Sequence, residues 1–197
     1  MCYGFGGKVL SRLILSTFLL ALIIFPPAMA YAPSWQKLTD DGKVLEAAGK
    51  YDQAEAKYKE ALRLAEKSQK TNTVNLARSY FNLGDCLRAE TKYKESQEHL
   101  ARAYQLAEKV KSFPPVEMSA VMNALADVDC LLEKYNEAIE IYKKEESVLD
   151  KVHGNKTAAL IDHYDDYALA LYGLKRNDEA EQMHRKAQRV RHQALHR

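Results

Sequence analysis

A six-residue segment, Gly49-Lys50-Tyr51-Asp52-Gln53-Ala54, returns as Thr91-Lys92-Tyr93-Lys94-Glu95-Ser96, as Glu133-Lys134-Tyr135-Asn136-Glu137-Ala138, and as Lys175-Arg176-Asn177-Asp178-Glu179-Ala180. Each return falls 42 residues after the last, without an insertion in any copy. A period kept three times in succession means one supersecondary unit used four times, stacked on itself rather than wrapped around a single core. Counted from Trp35, the copies cover approximately 35–76, 77–118, 119–160 and 161–197.

Inside a copy the apolar residues follow the helical period on both sides of the Lys-Tyr turn. Tyr80, Leu83, Gly84 and Leu87 stand at i, i+3, i+4 and i+7 before the turn, and Ala54, Tyr58, Ala61, Leu62 and Ala65 continue the stripe after it. Each unit is therefore predicted to be a helical hairpin, and the fold class all-α. Asp52 with Glu55, and Asp178 with Glu181, have a D-x-x-E spacing that suits the start of the second helix. Gly49 suits the end of the first helix, and Ser34 and Asn155 its beginning in the first and fourth copies. Pro114-Pro115 breaks the chain between copies two and three, where a new helix begins on a proline.

On these columns the chain resembles the tetratricopeptide repeat family, whose pattern is W-x2-L-G-x2-Y followed by A-x3-F. The second copy carries it as Tyr80-x2-Leu83-Gly84-x2-Leu87 and the first as Leu38-x2-Asp41-Gly42-x2-Leu45. One small-residue column reads Gly42, Gly84, Ala126, Ala168, a second reads Ala54, Ser96, Ala138, Ala180, and the aromatic column reads Tyr58, Leu100, Tyr142, His184. A period of 42 is similar to the longer-helix variant of kinesin light chains. Asp41 replaces a core leucine, Asp129 and Glu145 interrupt the third copy, and the helix-ending proline is absent. The resemblance implies a right-handed α-solenoid of four repeats, with the first helices lining a concave groove for an extended or helical partner segment. In the last copy the outward columns turn polar, as His184, Gln188, Arg191 and His192, which predicts a helix that ends the stack in water.

The N-terminus reads differently from the repeats. Lys8 and Arg12 precede an apolar run from Leu13 to Phe25 and then Pro26-Pro27-Ala28-Met29-Ala30, whose small residues fit an A-x-A cleavage site. This is the pattern of a secretory signal peptide over residues 1–30, and it predicts a periplasmic or secreted protein. A second reading is an uncleaved membrane anchor; the apolar run has 13 residues, whereas a spanning helix needs about 20. Lys8 and Arg12 are the only charges in that segment, so the remaining chain carries 27 bases and 27 acids. A neutral repeat domain is no general polyanion binder, and no nucleic acid is expected as a partner.

Candidate chemistry is sparse. Cys86 shares a column with Val44, Val128 and Ala170, a core position, and faces differently from Cys130, so both are expected as free thiols. An enzyme reading would pair Cys130 with His163, but no orienting third group or oxyanion donor accompanies them. His184, His192 and His196 share a face without a carboxylate or cysteine, so no metal is expected; no cofactor motif is present either. Arg185, Lys186, Arg189, Arg191 and Arg197 make the last helix basic, which admits a membrane-surface adaptor as a further reading.

A binding module remains. The stripe of each first helix that avoids the core columns gives Gln36, Thr39, Asp40, Lys43 and Glu46, then Arg78, Phe81, Asn82, Asp85 and Arg88. It continues through Asn123, Asp127 and Cys130 to Asp162, Asp165, Asp166, Leu169 and Tyr172. Acids dominate its C-terminal end, which predicts a partner protein or peptide carrying Lys or Arg, with Asn82 and Asn123 for its backbone and Phe81 and Tyr172 for its apolar side chains. The leader gives a direct test. N-terminal sequencing of exported material is expected to begin at Tyr31, and a chain that still begins at Met1 would refute cleavage.

Overall fold

The computed structural model describes residues 33–68, 72–149, 151 and 156–195; the leader, Asn155 and His196 lie outside them. Among the described residues the chain forms eight helices and no strand: α1 (Trp35–Ala47), α2 (Tyr51–Lys67), α3 (Thr73–Ala89), α4 (Tyr93–Glu108), α5 (Pro115–Leu131), α6 (Tyr135–Leu149), α7 (Lys156–Gly173) and α8 (Asn177–Leu195). They pair as four antiparallel hairpins, α1/α2 to α7/α8.

The 42-residue period is visible in the backbone. Gly49, Thr91, Glu133 and Lys175 all take left-handed conformations, with φ of 71°, 61°, 59° and 60°. Around each, the last turn of the first helix closes in the same way: the amide of residue 49 donates to the Glu46 carbonyl and that of Lys50 to the Leu45 carbonyl, and the pairs Thr91/Arg88 and Lys92/Leu87, Glu133/Cys130 and Lys134/Asp129, Lys175/Tyr172 and Arg176/Leu171 repeat it. This is the Schellman arrangement, which satisfies two otherwise orphaned carbonyls and reverses the chain within three residues. Only the first copy uses glycine there; a non-glycine residue in that region costs about 1 kcal/mol, which the two hydrogen bonds offset.

Helix starts vary more. Ser34 caps α1 by accepting the Lys37 amide at 3.2 Å, and α5 begins on Pro115. The D-x-x-E expectation at α2 is corrected: the cap is Lys50 with no side-chain bond, and Asp52 sits in the first turn. Glu55 instead receives Lys92 Nζ from the next hairpin at 2.7 Å and also pairs with Lys59. In the later copies the first helix starts at Thr73, Pro115 and Lys156, so the copy boundaries at 76/77, 118/119 and 160/161 fall inside helices. The first helices of those copies carry an additional turn, as the 13 residues of α1 against the 17 of α3 and α5 show.

Packing within a hairpin is set by the small columns. Ala54, Ser96, Ala138 and Ala180 are fully buried, and the Ser96 hydroxyl donates to the Gly84 carbonyl at 2.7 Å. A β-carbon on Gly84 would lie 2.8 Å from Leu100 Cγ, and one on Gly42 would strike the Tyr58 ring. Between hairpins a polar bridge recurs at a separation of 37: Lys92 to Glu55, then Lys134 Nζ to Gln97 Oε1 at 2.7 Å. At the third junction Ile139, buried, replaces the acceptor, and Arg176 turns to Glu179.

The polar residues that interrupt the third copy are satisfied. Asp129 accepts from Gln97, and Glu145 accepts the Ser119 hydroxyl at 2.6 Å and lies 2.9 Å from His163 Nδ1. All three members of that last cluster are buried. Cys86 and Cys130 are both free. Cys86, Val128 and Ala170 are buried as their column requires, whereas Val44 is 70% exposed because no described hairpin precedes α1.

First helices of successive hairpins approach one another at the backbone, whereas the described second helices stand farther apart and are linked through long side chains, such as Lys186 with Glu146. The inner, tighter side of the stack is therefore the side of α1, α3, α5 and α7. Its geometry depends on the close contact inside each hairpin. Gly84→Leu is expected to cost about 1–3 kcal/mol by overpacking against Leu100, read as a lower melting temperature by circular dichroism; an unchanged melt would refute the assigned packing.

Candidate functional site

The first helices bring the predicted stripe together in two places rather than along one continuous wall. Toward their N-terminal ends, α1, α3 and α5 enclose a cavity of about 320 Å3 that includes Gln36, Thr39, Lys43, Arg78, Phe81 and Asn82. Trp35, Phe113, Glu117 and Val121 complete it, none of which the stripe contained. Trp35 is held by its indole N–H, which donates to Ser79 Oγ at 2.7 Å, and Ser79 in turn donates to the Asn75 carbonyl. Arg78 lies flat across the α3–α5 junction, donating from Nε and Nη2 to the two oxygens of Glu117 at 2.7 and 2.6 Å. A bidentate pair of this kind fixes orientation as well as charge. The Thr39 hydroxyl is buried there without a partner.

Toward the C-terminal ends, α3, α5 and α7 form a second, shallower cavity of about 290 Å3. Asp127, Cys130, Leu131, Asp166 and Leu169 line it with Arg88 and Tyr142. Leu131 and Leu169 are 49% and 64% exposed, an apolar rim on an otherwise acidic site. Asp127 accepts the Tyr142 hydroxyl at 3.3 Å, and Asp166 accepts the Asn123 amide at 3.2 Å. Burial, reinforced by the Asp166 charge, pushes the Asp127 carboxyl up to about 6; burial raises Asp166 as well. The Arg88 guanidinium lies beside them but donates both of its hydrogen bonds to Asp85, at 3.0 and 2.7 Å.

Other stripe residues are placed differently. Asp162 is exposed. Tyr172, 40% exposed, donates to Glu181 of α8 at 3.0 Å. Asp165 turns away from the groove, pairing with Arg191 and lying 3.4 Å from His184 Nδ1, both on α8. The reason is the last copy's own sequence: His184 and Arg191 occupy columns that hold Tyr142 and Leu149 one copy earlier, so the edge of the last hairpin is polar and draws the carboxylate in. Much of the remaining positive charge of α8 is also committed. Lys186 bonds Glu146 at 3.0 Å and sits 4.9 Å from the Tyr164 ring centre, and Arg185 lies 3.7 Å from Glu181.

The arrangement is poorly suited to thiol chemistry. Burial and the Asp127 charge raise the Cys130 thiol to about 11, the opposite of what a nucleophile needs at neutral pH. His163 Nδ1 is committed to Glu145 and its Nε2 has no partner, so no hydrogen bond joins it to Cys130. Among the described residues no group of three His, Cys, Asp or Glu is placed to hold a metal, and no helix is long and apolar enough to cross a membrane.

The tetratricopeptide repeat model matches residues 42–109 and 117–192. The chain belongs to the tetratricopeptide repeat family. No curated protein matches it in sequence. Among crystal structures, it is similar to BtubC (BKLC) from P. vanneervenii, with TM-score 0.75 and 14% identity over 95% of this chain and 76% of that one. A putative kinesin light chain from Podosopora anserina with nearly identical repeats gives 0.68 and 15%, over 95% and 89%. MamA gives 0.64 and 19%, over the whole of both chains. At these identities the likeness is one of fold. It places the 42-residue repeat alongside kinesin-light-chain-like repeats, as its length implied.

Asp127 gives the electrostatic test of the second cavity. A carboxyl whose pKa is raised on folding weakens the fold when ionised, so its penalty is present at pH 7, shrinks as pH falls through about 6, and vanishes below the unfolded value of about 4. Asp127→Asn should therefore stabilise the protein at pH 7 by about 1–3 kcal/mol and leave it unchanged below pH ~4, measured by urea unfolding at the two pH values. A gain that does not depend on pH would refute the assignment.

Proposed function

We propose that the mature chain is an exported, non-catalytic scaffold that binds an extended segment of a partner protein, carrying Lys or Arg, in the concave groove. The repeat family supports the interaction role. The observation that carries the charge preference is the pair Asp127 and Asp166: two half-buried carboxylates from neighbouring repeats face one cavity, bonded only by the neutral Tyr142 and Asn123. Glu55 and Glu117, by contrast, each receive a cation from the fold. Arg88 lines the same cavity but is bonded to Asp85, so a ligand cation supplies the direct partner that Asp127 and Asp166 do not receive from it. Export rests on the three-part leader of residues 1–30, with a periplasmic or secreted location.

The membrane-surface alternative is less well supported, because Arg185, Lys186 and Arg191 of the basic helix already face acids of the fold. The acidic-groove reading predicts that Arg- or Lys-bearing peptides bind and that affinity falls as salt rises. Replacing Asp127 and Asp166 together by Asn should weaken binding about tenfold or more and flatten the salt dependence, with helicity retained. Fluorescence anisotropy against matched basic, neutral and acidic peptides measures it. Equal affinity for all three sets, or a double variant that binds like the parent, refutes the proposal.

A further inference from the structure

The two cavities lie on shared helices, and their placement constrains the ligand beyond its charge. The first is centred on α3 and reaches α1 and α5; the second is centred on α5 and reaches α3 and α7. On α5, Val121 belongs to the first and Cys130 to the second. The linings are offset by about 13 Å along the helices, and one interhelix step of about 9 Å at right angles to that brings the separation to about 16 Å.

Their chemistries differ. Trp35, Phe81 and Phe113 present three rings to the first cavity, and about 320 Å3 is room for one large apolar side chain. Arg78 and Glu117 satisfy one another there, which leaves Lys43 as the other charged residue of the lining. The second pairs the carboxylates of Asp127 and Asp166 with the exposed carbons of Leu131 and Leu169. A long cationic side chain fits that combination, its stem on the leucines and its head at the acids. Asn82, which carries a side-chain amide, is among the lining residues of the first cavity. Such a group can pair with the open backbone of an extended chain, whereas a helix has already used its own backbone groups.

We infer that the groove recognises a two-point motif in an extended partner segment: an aromatic side chain seated against Trp35, Phe81 and Phe113, and an Arg or Lys four residues away seated between Asp127 and Asp166. Four is the separation that fits. An extended chain advances about 3.3 Å per residue and returns to the same face at every second residue, so a spacing of four reaches about 13 Å on one face, and the splayed Trp and Arg side chains cover the remaining ~3 Å. Five points the second side chain away, two falls short, and a helical ligand would need about ten residues to cover the same distance. The inference rests on the acidic-groove reading and adds a register to it.

The test uses labelled peptides of about twelve residues, polar and otherwise uncharged, each with one Trp and one Arg separated by two, three, four, six or ten positions, bound to the full chain and followed by anisotropy. The spacing of four is expected to bind best, about tenfold more tightly than two or three. Replacing the peptide's Trp by Ala should cost the parent protein about tenfold but the Phe81→Ala variant little, with the salt dependence intact. Replacing its Arg should be the change that the Asp127→Asn, Asp166→Asn protein no longer feels. Phe81→Leu serves if Phe81→Ala does not fold. Basic peptides that bind with salt dependence at every spacing would leave the acidic groove standing and overturn the two-point motif. An optimum at ten would overturn the extended ligand in favour of a helix. Absence of binding by every Arg-bearing peptide would overturn both readings, and self-association of the chain that Phe81→Ala abolishes would make a second copy the occupant.

Discussion

The close approach of the two helices in each hairpin, where Gly84 lies beneath Leu100 and Gly42 beneath Tyr58, governs the rest of the structure because it leaves no freedom in how a hairpin closes. A β-carbon at either site would displace the partner side chain, and the Ser96 bond to the Gly84 carbonyl locks the register of that contact. With the helices this near, the reversal between them must be tight. The left-handed residues at 49, 91, 133 and 175 provide it even where the side chain is Thr, Glu or Lys. Four hairpins of one shape then stack with their first helices in contact, and that contact gathers the inner columns into a groove.

What repeats was legible in the sequence, and what does not repeat was largely hidden. The columns of small residues, the reversal after each first helix and the free cysteines could be read from the 42-residue register, since each is confirmed by its copies. Trp35 and Phe113 had no such support: one opens the first helix, and the other sits in the linker before Pro114, outside any column. The partnership of Arg78 with Glu117 spans 39 residues, one helical turn short of the period, so a search along columns passes over it. Asp165 shares its column with Phe81 and Asn123 but is claimed by Arg191, a residue that stands where other copies carry Ala65, Ala107 or Leu149. The D-x-x-E spacing at Asp52 and Glu55 misled for a related reason. Two lysines, Lys59 and Lys92, bind Glu55 more strongly than a free backbone amide would.

Glu55 and Asp127 show how one kind of side chain takes opposite roles in the same stack. Lys59 and Lys92 hold the Glu55 carboxyl down to about 2, so it stays charged and ties two hairpins together. Asp127 is pushed up to about 6 by burial and by Asp166. The difference follows from where each column points. Glu55 faces the junction between hairpins, where Lys92 arrives at a fixed interval, whereas Asp127 faces the groove, where the neighbouring repeat supplies a second acid in Asp166 and where Arg88 is occupied by Asp85.

A solenoid can be stabilised at its junctions without limit on kind, since any complementary pair there serves. Its groove is different, because a cation of the fold bonded directly to Asp127 would fill the position of the proposed ligand cation, and Arg88 is bonded to Asp85 instead. Leaving that carboxylate without one costs the fold part of its stability at neutral pH, and the same unpaired charge is what an incoming cation is attracted to. The two effects are linked through the proton: a ligand cation that settles between Asp127 and Asp166 favours their ionised forms, so near pH 6 binding must expel part of a proton and weaken as the solution becomes more acidic. On the proposed reading, the stability given up in the groove and the affinity for a cation there are two sides of one electrostatic arrangement.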